Sequence, residues 1–174
     1  MKGSVRWLIV TAVLAVAVLV VAVRALPYAI MAMATRGAAA RGEWNHAYNP
    51  PLATAAARSI VRPSPDLAYT SCAFDVVDKG LAIDAPLGGA DYASLSMFAS
   101  NTDNFFVLND RAAGSAPVQL LLVGPRTPAV EAAGRTVVHA PSDRGMVLVR
   151  RVVSGPQALP AVDALRNATH CTPQ

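Results

Sequence analysis

Trp7 to Val23 (WLIVTAVLAVAVLVVAV) is a run of seventeen residues with no charge and a single threonine. As a helix rising ~1.5 Å per residue it reaches roughly 26 Å, just short of a ~30 Å hydrocarbon core. Arg24 interrupts the run, but a long side chain near a helix end reaches the headgroups. Apolar character then resumes through Leu26, Tyr28, Ile30, Met31 and Met33. The expectation is one N-terminal transmembrane helix within residues 1–34. The competing reading is a cleaved signal peptide, with Lys2 and Arg6 as its basic start. The run is longer than the apolar stretch of such peptides, and the small-x-small site Ala32-Met33-Ala34 comes late, beyond Pro27. An uncleaved anchor is the reading carried forward. Flanking charge does not orient it, because Lys2 and Arg6 face Arg24, Arg36 and Arg41.

The anchor explains a composition that would otherwise mislead. The chain is 53% hydrophobic, with a net charge of +4 and a pI near 9.5. Four basic residues (Lys2, Arg6, Arg24, Arg36) lie in the first 36 positions, where there is no acid. From Gly37 onward ten Arg and one Lys balance nine Asp and two Glu. A nucleic-acid-binding domain shows a basic face, and a neutral domain with a basic membrane flank does not. Nucleic acid is rejected as a partner.

Residues 35–65 are rich in Ala, Arg and Pro, broken at Asn49-Pro50-Pro51 and Arg62-Pro63-Ser64-Pro65. They read as a stalk that becomes the first packed strap of the domain, with two turns of helix possible over Leu52 to Ile60. Residues 66–174 change texture to short β-type runs between Gly, Pro, Asn and Asp. Seven strands are expected: 68–77, 81–85, 92–99, 104–109, 118–123, 136–139 and 145–153. Tyr92, Ser94 and Ser96 alternate with Ala93, Leu95 and Met97, as in a half-buried strand. Met146 to Val149 is apolar on both faces, which suits a strand covered on both sides. Pro160 opens a short helix to about Ala168. The fold class expected is mostly β, a sandwich or barrel-like domain with a C-terminal helix.

There are two cysteines, Cys72 and Cys171, 99 positions apart. A structural metal site wants four ligands at short spacings, and none exists; no metal and no cofactor is expected. The pair fits a disulfide tying the C-terminus to an early strand, worth up to ~4–5 kcal/mol by loop entropy. The alternative is two buried free thiols. A bridge would place the domain in an oxidising compartment.

Several polar groups stand out. Ser100-Asn101-Thr102-Asp103-Asn104 is the densest polar segment. It reads either as a hairpin connection capped by its own side chains or as an oxygen-rich ligand loop. Asp66 and Tyr69 follow Arg62, where the strap enters the first strand. A carboxylate near an arginine and a phenol makes a ligand clamp or catalytic group, or equally a structural Arg–Asp pair. His46, His139 and His170 share no ligand spacing, and the chain has no nucleophile elbow, P-loop or dinucleotide fingerprint.

Val61 to Asp75 (VRPSPDLAYTSCAFD) resembles the bacterial family known as domain of unknown function 1254. The resemblance rests there on Arg62, Pro63, Asp66, Tyr69 and Asp75. It continues through Tyr92 to Phe98, Asn101 to Phe106, Val123-Gly124-Pro125, and Arg150 with Val152. It implies a β-rich fold in a bacterial envelope setting and assigns no catalytic residue. Larger members carry a second domain, of unknown function 1214, in the same chain. The implied expectation is that a separate membrane protein supplies that companion here. The candidate ligand-binding set is Arg62, Asp66, Tyr69, Asn101, Asp103, Asn104 and Arg150. The leading functional reading is a non-enzymatic accessory module, single-pass in the inner membrane with its domain on the periplasmic side. The runner-up is a small hydrolase acting on an envelope lipid or glycan. Convergence of the polar set in one concave pocket would favour a site.

Overall fold

The computed structural model describes residues 2–54, 56, 63–114 and 116–174, with the backbone alone for Lys2. Its first element, α1 (Lys2–Gly42), is one helix that passes through Pro27 without ending. From Gly3 to Leu26 every residue is exposed, and Trp7 and Val18 keep 72% and 67% of their surface. The helix is long and apolar enough to cross a membrane. Beyond Pro27 it meets the folded body, where Met31 and Thr35 become buried. The segment expected to begin a stalk at Thr35 is therefore still helix. Alanine is the best helix former, and 32–40 holds five of them. Of the Ala-rich stretch expected as helix, Leu52 to Thr54 is irregular, and most of the remainder lies outside the described residues.

The body is a two-sheet sandwich. Sheet I contains β1 (Leu67–Asp75), β7 (Arg144–Val152), β3 (Ala93–Ala99) and β4 (Asn104–Asn109), all antiparallel and in that order. Sheet II contains β6 (Thr136–His139), β5 (Val118–Val123), β2 (Leu81–Ala85) and β8 (His170–Pro173), again in spatial order. There β5 and β6 are parallel, while β2 pairs antiparallel with both β5 and β8. A short α2 (Asp110–Ala113) follows β4, capped by the Asn109 side chain. A longer α3 (Leu159–Asn167) precedes β8. The seven expected strands are present to within two residues at each end, and β8 is an eighth. Mostly β, sandwich, C-terminal helix: that reading holds.

Strand alternation builds the core. Cys72 and Phe74 of β1, Val147 and Val149 of β7, and Leu95 and Met97 of β3 point inward. They meet Leu81, Ile83, Leu120, Leu122 and Cys171 of sheet II in one buried cluster. The opposite face of sheet I is covered by the second half of α1, which packs on β1 and β7. This explains the two-sided apolar character of β7: Met146 and Leu148 face the helix while Val147 and Val149 face the core.

Residues after α1 close the free edge of β1. Glu43 and Asn45 take positive φ (66° and 63°) and reverse the chain. Tyr48 then bridges antiparallel to Ser71. The Asn45 side chain acts like a peptide group: its Oδ1 accepts from Asp75 N–H and its Nδ2 donates to Asp75 C=O, both at 2.8 Å. Such capping protects an edge from pairing with another chain. The reversal brings Gly42 so near Tyr48 that a Cβ at position 42 would overlap the tyrosine side chain.

On the outer face of sheet II, Arg135 grips Asp84 through both carboxylate oxygens at 2.8 and 3.0 Å, joining β2 to the start of β6 across β5. This contact holds the Asp84 carboxyl below its ordinary value near 3.8, against the opposing effect of burial.

Two predictions follow from this packing. A Cβ at Gly145, inside β7, would overlap the Phe98 carbonyl oxygen and the Phe74 ring. Gly145→Ala should therefore lower unfolding free energy by about 1–3 kcal/mol, as overpacking does. Gly37→Ala, whose Cβ meets only Arg41 Nη1 at 3.9 Å, should not destabilise; denaturant midpoints compare them. Second, because the folded-state pKa of Asp84 is depressed, its ion pair stabilises at neutral pH. That contribution, about 1 kcal/mol at most for a half-exposed pair, fades as pH falls from near 3.8 through the lower folded value. Asp84→Asn should be less stable than wild type at pH 7, with the gap closing in acid.

Candidate functional site

The polar residues singled out in the sequence fall into two groups at opposite ends of sheet I. Asp66, Tyr69 and Arg150 lie at the far end, and Arg62 is outside the described residues. Asn101, Asp103 and Asn104 lie at the β3–β4 turn. Arg150 pairs with Ser94, and Gly145, beside the turn, with Ala99. Five residues separate these rows, about 17 Å along a strand. The set does not converge in one pocket.

At the far end a polar row crosses the outer face of sheet I: Tyr69, Arg150, Ser94 and Asn109, each on a neighbouring strand. Tyr69 Oη accepts the Ser64 N–H at 3.0 Å. The Asp66 carbonyl accepts Val153 N–H, and Asp66 N–H points to Ser64 Oγ. Arg150 reaches Ser96 Oγ through Nη2 at a long 3.4 Å. Arg150 Nε, Ser94 Oγ and Asp110 Oδ1 are out of solvent without a hydrogen-bond partner among the described residues. Buried polar atoms are normally satisfied, so three orphans near one row mark this as the polar focus of the domain.

Two further arginines sit beneath it, and the sequence reading missed both. Arg151 is fully buried on the inner face of β7, between the small residues Ala68 and Ala93. Its Nη2 donates to Pro86 C=O and Thr169 Oγ1, while Nε and Nη1 have no partner among the described residues. Burial, with the positive charge of Arg166 adding to it, lowers its pKa to about 10. Alternation along β7 was the available signal: Gly145, Val147 and Val149 point inward, so residue 151 must too. Arg166, on α3, donates to the carbonyls of Tyr69 and Pro50 and to Asp163. It fastens α3, β1 and the strap together.

The other end lies where α1 enters the body. The β3–β4 turn is satisfied internally: Asn101 bonds Asp103 through its side-chain nitrogen and oxygen, and Ala99 N–H donates to Asp103 C=O. Next to Ser100, a cleft of about 230 Å³ opens between α1 and the sheet, lined by Tyr28, Thr35, Arg36, Trp44 and Arg144 among others. A larger apolar groove of about 520 Å³ flanks the helix, between Ile30, Met33 and Gly37 and the Phe98, Met146 and Leu148 side chains.

Cys72 and Cys171 are buried and unbonded, one on each sheet. Burial first, and then contact with Cys171, push the Cys72 thiol well above its usual value. The expected disulfide is thus a juxtaposed thiol pair in this structure.

A family described as "Protein of unknown function (DUF1254)" matches residues 44–173. This chain belongs to the DUF1254 family. Among proteins of curated function, none matches it. The crystal structure of the VPA0106 protein from Vibrio parahaemolyticus shares the fold, with a TM-score of 0.57 at 13% identity over 64% of this chain. An uncharacterised protein from Burkholderia cenocepacia gives a TM-score of 0.47 at 13% identity over 75% of the chain. The chain spans 28% and 34% of those two proteins. The DUF1254 match begins at Trp44, just after α1 ends, so it covers the strap and sandwich and not the helix.

The two buried arginines should respond oppositely to removal. Arg166→Ala strips several charge-assisted hydrogen bonds and should cost about 2–3 kcal/mol of unfolding free energy. Arg151→Met removes a desolvated charge that no carboxylate pairs with among the described residues, and should leave stability within about 1 kcal/mol or raise it. Thermal melts of both variants check the contrast.

Proposed function

We propose that this DUF1254 protein is a membrane-anchored accessory module of the bacterial cell envelope. In this reading α1 stays attached and crosses the cytoplasmic membrane once. The sandwich stands on the periplasmic side and works by binding a partner membrane protein rather than by turning over a substrate. The observation that carries the reading is the continuity of α1, whose exposed apolar half runs without a break into a half packed on sheet I. Cleavage at Ala32-Met33-Ala34 would cut through that packing, between the buried Met31 and Thr35. The separation of Asp66, Tyr69 and Arg150 from Asn101 and Asp103 speaks for binding surfaces over the hydrolase alternative, since acid–base chemistry needs its groups within reach of one reacting atom.

In the VPA0106 protein the matching fold makes up 28% of the chain, so it occurs there beside further structure. A separate membrane protein carrying a domain of unknown function 1214 would supply a companion here. On the oxidising side of the membrane Cys72 and Cys171 would lose two electrons and two protons to a disulfide oxidoreductase and join the two sheets.

Affinity purification of the full chain from a detergent extract, followed by mass spectrometry, should recover a membrane protein with that companion domain. Its consistent absence would sink the accessory reading. The same sample should run faster on a gel without reductant than with it and show no titratable thiol once denatured. Two free thiols would remove the disulfide and the compartment inferred from it.

A further inference from the structure

We propose that the cleft between α1 and the β3–β4 end of sheet I binds the phosphate headgroup of an anionic bilayer phospholipid. The inference rests on the anchoring reading above and goes beyond it by assigning a ligand. Tyr28, Met31, Ala32, Thr35 and Arg36 line one side of the cleft, and Trp44, Ser100, Arg144 and Gly145 line the other. The helical residues fall at i, i+3, i+4, i+7 and i+8, so they form one stripe along α1.

Depth comes first. Tyr28 lies five residues beyond Val23, about 7.5 Å along the axis. That is the outer edge of the headgroup layer, which adds roughly 5–7 Å to each side of the hydrocarbon; Arg36, about 12 Å further out along the axis, approaches it through a long side chain that leans back toward the helix N-terminus. Tyrosine and tryptophan favour that layer, and the cleft holds one of each.

Charge decides the class of ligand. Residues 2–42 contain no acid, and Arg36 forms no ion pair with any described residue. Arg144 is held from one edge: its Nε donates to Asp75 Oδ2 at 2.8 Å, and its guanidinium carbon lies 5.6 Å from the Trp44 ring centre. Its two Nη groups make no hydrogen bond to a described residue. A guanidinium oriented by a carboxylate and an indole, with free Nη donors, suits two-point recognition of a phosphate. Asp75 offsets one positive charge, leaving Arg36 and nearby Arg24. The carboxylate of the adjacent turn, Asp103, is hydrogen-bonded by the neutral Asn101 amide and is not offset by it, so Arg24, Arg36 and Arg144 outnumber Asp75 and Asp103 by one. The cleft therefore favours an anionic headgroup over a zwitterionic one.

Size sets the mode of binding. At about 230 Å³ the cleft is below the roughly 300–1,000 Å³ of sites that enclose a whole organic ligand. It admits a headgroup while the acyl chains stay in the bilayer beside α1. The lipid is held in place, not extracted.

The test uses the full chain in a neutral detergent, with lipid binding read by native mass spectrometry and by thermal shift. Phosphatidylglycerol should remain bound and raise the melting temperature; phosphatidylcholine and inorganic phosphate should do neither to the same extent. Arg36→Gln, whose arginine makes no ion pair with a described residue, should weaken phosphatidylglycerol binding roughly fivefold, the order expected for one cation at a lipid surface. Arg144→Gln should do at least as much, with Arg144→Lys intermediate. Equal binding of phosphatidylglycerol and phosphatidylcholine overturns the inference, as does an Arg36→Gln variant with unchanged affinity. A shift produced equally by inorganic phosphate overturns the lipid source. Alkaline carbonate extraction of membranes separates this from the anchoring reading: release of the chain refutes anchoring, whereas a retained chain with no headgroup preference refutes the cleft alone.

Discussion

The rest of the structure depends on the seating of the second half of α1 against the outer face of sheet I. A sandwich normally solvates its outer faces, but β7 carries Met146 and Leu148 outward. Without the helix those side chains, with Phe98 of β3, would form an apolar strip on the surface. With it, sheet I is covered on both sides and the helix gains tertiary support. The dependence is mutual. The Ala-rich residues 32–40 favour helix, but burial of Met31 and Thr35 against the body seats it, and the sheet alone would have an uncovered apolar face. The strap then follows from the helix, because the reversal at Glu43 and Asn45 can lay the chain along β1 only if α1 ends where it does.

How much of this was legible in the sequence depended on whether the signal was local. Strands bounded by Gly, Pro, Asn and Asp could be read, because breakers and alternation act over a few residues. The two-sided apolar character of β7 was legible too, although not what would cover it. The helix beyond Thr35 was not, because Pro27 and a small-residue composition suggest a break and a stalk. Proline is tolerated there because its costs, a lost hydrogen bond and a kink, fall where the chain leaves the apolar span. The strand β8 escaped because His170-Cys171-Thr172 is short and mostly polar, and it becomes a strand only by pairing with β2.

The polar residues divide in the same way. Tyr69, Asp66 and Arg150 stood out by their proximity in sequence to other marked residues and by family resemblance, and the structure puts them at one end of sheet I. The turn 101–104 also stood out, but at the other end, since β3 carries the chain some 17 Å away from the Ser94 row. Arg166 left no readable trace, because the carbonyls it grips belong to Pro50 and Tyr69, 116 and 97 positions away. Nothing in a single sequence announces that a helical arginine will serve backbone acceptors so far off.

Arg151 is the hardest feature to reconcile with stability alone. A fully buried guanidinium with two donor nitrogens unpaired among the described residues is costly in a medium of low polarity, and Arg166 adds a second positive charge rather than an offset. The flanking alanines make room for it: Ala68 and Ala93 leave space that larger residues would fill. Among the described residues no carboxylate forms an ion pair with Arg151. Its place beneath the orphaned Arg150 and Ser94 gives one physical account, since an inner cation raises the positive potential of the face above it. That end of the sheet is turned away from the point where α1 enters the body. The buried arginine and the entering helix thus mark opposite ends of sheet I.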